Sequence, residues 1–105
     1  MKLWIDDVRP APEGYEWIKT VDGAKFQIQE CERGYYYSHA EEWKVEIIDI
    51  DHDAGEYAQY GGDYIKILDW LEETGRNYPI HIHSMNPVGV ANMRAIIQKN
   101  GWREV

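Results

Sequence analysis

The chain is short of several things. It has one cysteine, Cys31, among 105 residues. No disulfide can form within it, which fits a reducing, cytoplasmic setting. It has no run of 18 apolar residues, so no membrane-spanning helix is expected. Its start, "MKLWIDDVRP", has neither a long apolar stretch nor a cleavage pattern, and is not expected to be a secretory leader. It is also short of positive charge, with 11 Lys and Arg against 19 Asp and Glu, a formal net charge of -8. An acidic surface repels nucleic-acid backbones and anionic membranes. General duplex DNA binding and membrane binding are therefore not expected. There is no internal repeat, low-complexity tract or linker, and one domain over residues 1–105 is expected.

What the chain does have is apolar pattern. "KLWID" at Lys2–Asp6 reads as a buried first strand. "DVRPAPEG" at Asp7–Gly14 carries two prolines and a glycine, and reads as a loop. "WIKT" at Trp17–Thr20 is a candidate second strand. Val21, Ala24, Ile28 and Cys31 then follow helical spacing, with Thr20 as N-cap and Gly34 as the expected stop. "YYYSHAEEW" reads as a connection. "VEIIDID" at Val45–Asp51 is the strongest strand signal. A glycine-containing loop follows, then a helix from Asp63 to about Gly75. "PIHIHSM" at Pro79–Met85 alternates like a strand. Asn86-Pro87 opens a last helix, with Asn as N-cap and Pro in the first turn. "WREV" is a candidate short final strand. Strands alternating with helices predict a mostly parallel α/β sheet of four or five strands, with helices on both faces as a three-layer sandwich.

Polar residues gather where strands end. The first strand ends in Asp6 and Asp7, the middle strand in Asp51, His52 and Asp53, and the "HIHS" strand in His81, His83 and Ser84, with Asn86 after it. Ligands of open parallel sheets bind beyond the carboxyl ends of the strands. Two carboxylates about 5 Å apart repel by roughly 3 kcal/mol at an effective dielectric near 20. Raised pKa values would relieve a cluster of four, and so would a hard divalent cation. Mg²⁺ is the favoured ion, with Mn²⁺ second. Asp49 lies further back in its strand and reads as a structural acid. His81 and His83 share one strand face and are candidates for a general acid and base, or for ligands of a transition metal. Arg9 and the helix start at Asn86 are candidate phosphate contacts.

"LWIDDVRP", "DIDHDAG", "GGDYIKILDWLEE" and "IHIHSMNPVGVANM" together resemble the cyclic-phosphate processing receiver-like domain, a relative of response-regulator receivers. The resemblance is weakest at residues 31–44. It implies a flavodoxin-like fold and an activity on cyclic phosphate groups, such as nucleotide or RNA-end 2′,3′-cyclic phosphates. It also implies Asp6 and Asp7 as Mg²⁺ holders, Asp51 or Asp53 as the middle-strand acid that accepts a phosphoryl group, and Ser84 as its hydroxyl contact. The pattern departs from ordinary receivers in two ways. His52, His81 and His83 are foreign to them and are what a hydrolytic variant would add. The lysine after a fifth strand is missing, and Lys99 falls inside the last predicted helix. Together these features predict a metal-assisted phosphoesterase. Asp6, Asp7 and Asp51 would hold the metal. His81 and His83 would move protons, with Asp53 or His52 in reserve, and Ser84, Asn86 and Arg9 would hold phosphate. The partner expected is a small phosphorylated ligand or a nucleic-acid end, and no residue pattern signals an oligomeric state. The competing expectation is a non-catalytic phosphate-sensing or interaction module.

Overall fold

The computed structural model describes residues 1–105. Four short strands, β1 (Lys2–Ile5), β2 (Tyr15–Ile18), β3 (Ile47–Ile50) and β4 (Ile80–Ile82), pair in parallel in the order β2-β1-β3-β4. Three helices connect or follow them: α1 (Val21–Ser38), α2 (Ile65–Glu73) and α3 (Pro87–Asn100). Two 3-10 turns, Glu41–Trp43 and Gly55–Gln59, flank β3. This is the parallel α/β, receiver-like fold expected. "WREV" contributes only a single parallel bridge, Glu104 to Ile80. No helix is long and apolar enough to cross a membrane.

The layering corrects the expectation of helices on both faces. The steps β2 to β3 and β3 to β4 cross the sheet in the same direction. Parallel crossovers are right-handed, so α1 and α2 fall on the same face. Leu3, Ile5, Ile48, Ile50 and Ile80 point to that face, and they form one cluster with Val21, Ile28, Leu68, Met93 and Ile97 of the helices. Only the step β1 to β2 runs the other way, and residues 6–14 span it without a helix. The opposite face therefore carries Lys2, Trp4, Asp49 and His81 with no helix over it.

Local caps follow the sequence closely. Thr20 accepts the Gly23 amide at the start of α1, and Asn86 accepts the Gly89 amide at the start of α3. Asp63 does not cap α2; its carboxylate instead accepts the Ala54 amide at 3.0 Å. Gly34 does not stop α1, which runs on to Ser38 and closes with His39 at φ 57°. The role of Gly34 is space. A Cβ there would stand 2.4 Å from the Trp43 ring. Gly34→Ala should therefore destabilise the protein, because about 1 kcal/mol of helix propensity is outweighed by about 1–3 kcal/mol of overpacking. Urea melts of the variant check the sign, and a net gain in stability would refute this account of Gly34.

Candidate active site

The strand ends bring most of these polar residues to one edge, and their bonding redistributes the roles. Asp6 is 1% exposed. One of its oxygens accepts the Val8 and Arg9 amides, both at 2.8 Å, so the chain turns sharply after β1. The other oxygen accepts from His83 Nε2 at 2.9 Å. His83 Nδ1 donates to Asp49 at 2.6 Å. The imidazole lies flat on Trp4, with ring centroids 3.9 Å apart and planes 4° apart. Two buried carboxylates need a counter-charge, and one imidazolium donating from both nitrogens satisfies both. Burial alone would push His83 down, but Asp49 and Asp6 outweigh it and hold its pKa above the ordinary value. Burial would likewise raise Asp6, but the Arg9 and Val8 amides and His83 outweigh it and hold it low. His83 is thus a clamp between β1 and β3. It has no free lone pair with which to take a proton or bind a metal.

β3 leads into Asp51, whose amide continues the ladder to the Ile5 carbonyl at 2.9 Å. One Asp51 oxygen caps the His52 amide at 2.7 Å. Donor atoms of Asp6, Asp51 and His83 lie within 4.8 Å of one another. Since both His83 nitrogens already donate, the oxygens are the usable donors. Asp7 joins them electrostatically. Burial and the nearby charges of Asp6, Asp51 and Asp53 push its pKa above the ordinary carboxylate value, against the pull of its own amide. The donors of Asp6 and Asp51 are oxygens, and Asp7 adds a nearby carboxylate whose charge is not relieved. That suits a hard divalent cation such as Mg²⁺.

Beside these acids lies an open cleft of about 290 Å³, lined by Arg9, Asp51, Asp53, Ser84, Met85 and Asn86. Arg9 Nη1 donates to the His83 carbonyl at 3.3 Å, which aims the guanidinium across the end of β4. Ser84 Oγ accepts the Asn86 amide at 3.1 Å. Asp53 accepts from His52 Nδ1 at 2.8 Å and, over a longer reach, from the Asn86 amide group. His52 holds Asp53 below the ordinary carboxylate pKa; burial opposes this and Asn86 adds to it. The His52 ring sits against the backbone of α3, where a Cβ on Gly89 would come within 2.4 Å of it.

A family profile for the cyclic-phosphate processing receiver domain matches residues 1–99. The chain belongs to that family. No curated protein and no solved structure shows a comparable match. The matched range includes residues 31–44, where the motif resemblance is weakest. Membership supports a role related to cyclic-phosphate processing. In this receiver domain, Asp6, Asp7, Asp51 and Asp53 gather at one edge, with Arg9, Ser84 and Asn86 facing Asp51 and Asp53 across the cleft.

His81 does not join them. It sits mid-strand in register with Asp49, is exposed, and pairs through Nδ1 with the Val105 carbonyl at 2.7 Å. The expected His81–His83 acid–base pair is therefore corrected: one ring is held by two carboxylates, and the other lies off the cleft. His52 reaches the cleft only through Asp53. Asp49 is a structural acid, as the sequence suggested, and its partner is His83. Trp4 was not anticipated in any role. Its ring beneath His83 follows from β1 and β4 flanking β3, which no local pattern in "KLWID" encodes.

Proposed function

We propose that this receiver domain opens cyclic phosphodiesters with the help of a divalent cation. The observation that carries the reading is the apposition of the carboxylate group at Asp6, Asp7 and Asp51 with an anion-suited wall of Arg9, Ser84 and the start of α3. An ion held by Asp6, Asp7 and Asp51 would neutralise charge that builds on the phosphoryl oxygens. Arg9 and the Ser84 hydroxyl would hold the non-bridging oxygens. Asp53, oriented by His52, would take the proton from a water that adds to phosphorus. One ring P–O bond then breaks, and the leaving oxygen takes a proton from solvent. The substrate proposed is a small cyclic phosphate or the cyclic-phosphate end of a nucleic acid.

The test is turnover of a nucleoside 2′,3′-cyclic phosphate by purified protein with Mg²⁺ or Mn²⁺. Ring opening to a monoester is the expected result. If a broad panel of cyclic phosphodiesters stays intact with both metals, the catalytic reading fails. A second reading has one observation in its favour: His81 lies off the cleft and His83 is held by two carboxylates, so neither is placed to move protons there. A phosphate-sensing module would then bind the cyclic ligand, measured by calorimetry, without consuming it.

Asp7 provides a further check with opposite signs. Its raised pKa means that its charge opposes folding at neutral pH. Asp7→Asn should raise the urea stability of the metal-free protein by about 0.5–1 kcal/mol. The same change should weaken Mg²⁺ binding at least about tenfold, through loss of one carboxylate. A variant that loses stability, or keeps its Mg²⁺ affinity, would remove Asp7 from the metal set.

A further inference from the structure

Met85 is the one apolar side chain among the six that line the cleft. It immediately precedes the N-cap of α3. An apolar residue there commonly packs down on the fourth helical position, which is Val90. Met85 does not, since it is 80% exposed. Single exposed apolar residues are ordinary. This one stands at the lip of a cleft whose other walls are polar, next to the groups proposed to hold phosphate.

Charge narrows what such a lip would meet. Arg9 is the one cation in the cleft, against Asp51 and Asp53. Glu56 is exposed on the turn that follows. A polynucleotide would bring further phosphates towards these acids, at a net protein charge of -8. A cyclic diester carries one negative charge, and its ring-opened monoester carries more near neutral pH, so the acids favour substrate over product.

Resting on the proposed cyclic-phosphate reading, we infer that the cleft selects mononucleotide-sized cyclic phosphodiesters and that Met85 is the specificity residue, its thioether lying against the nucleobase. A polarizable, flexible side chain suits a flat ring of variable identity.

The experiment compares kcat/KM, with Mg²⁺, for three substrates: adenosine 2′,3′-cyclic phosphate, base-free ethylene phosphate, and an oligoribonucleotide ending in a 2′,3′-cyclic phosphate. Wild type should prefer the adenosine compound to ethylene phosphate. Met85→Ala should cut that preference about tenfold, the effect of one half-buried apolar side chain. Met85→Leu should retain most of it. The oligonucleotide should be turned over no faster than the mononucleotide. Thermal melts of each variant confirm folding, which an exposed side chain should not disturb. If Met85→Ala affects both small substrates alike or neither, or if the oligonucleotide is preferred, the inference is overturned while the cyclic-phosphate reading stands. If wild type turns over none of the three, that reading fails and this one goes with it.

Discussion

Replacing His83 with Gln should cost about 3–5 kcal/mol of stability, the range seen when one partner of a buried charge pair is removed. The variant would leave Asp6 and Asp49 facing each other across a neutral side chain. Asp6 keeps its two amide donors, but Asp49 keeps no other side-chain partner. The stack on Trp4 would go as well. Chemical denaturation measures the loss directly. The second arm is the double variant Asp49→Asn with His83→Gln, which removes one of the stranded charges and should recover part of the loss. A single variant within about 0.5 kcal/mol of wild type would show that His83 is not the clamp. The outcome also separates structure from catalysis, because a general base can be replaced without several kcal/mol of destabilisation.

The other large effect is predicted at Asp53. If it takes the proton of the attacking water, Asp53→Asn should lower kcat by about 10²-fold or more, in line with general-base contributions. Asp53 is exposed, so folding should survive the change, and melts would confirm this. His81→Gln should leave kcat within about twofold of wild type, as expected for a surface change away from the reacting groups. His81 is bonded to the Val105 carbonyl at the sheet edge instead of facing the cleft. The reverse pattern, with His81 essential and Asp53 dispensable, would reinstate the histidine mechanism that the "HIHS" motif suggests. His52→Ala should sit between the two. It removes the group that orients Asp53 but leaves the carboxylate in place.

Some features were legible because they are local. The strand at "VEIIDID" follows from four β-branched residues in an apolar run. The last helix follows from Asn86 and Pro87 at its start and Gly101 at its end, and its caps form as read. The clustering of acids was legible too, since parallel strands deliver their ends to one edge whatever their order. Gly34 was misread for the same reason that local rules work elsewhere. A glycine near the end of an apolar stripe resembles a stop, and only the ring of Trp43, nine residues on, makes it a packing site.

The sequence by itself determined the α/β class, the two Asn- and Thr-capped helices, and the set of residues from which the site is drawn. Only the tertiary structure decided what those residues do. The face that each helix takes depends on the direction of its crossover, a property of strand order that no single segment carries. The fate of His83 depends on partners 34 and 77 positions away, Asp49 and Asp6. Once both nitrogens face carboxylates in a buried setting, electrostatics makes the ring a counter-ion. Two residues earlier in the same "HIH" motif, His81 bonds no carboxylate side chain and is left on the surface. Ionisable side chains take their role from neighbours within a few ångströms, and parallel pairing chooses those neighbours from across the chain.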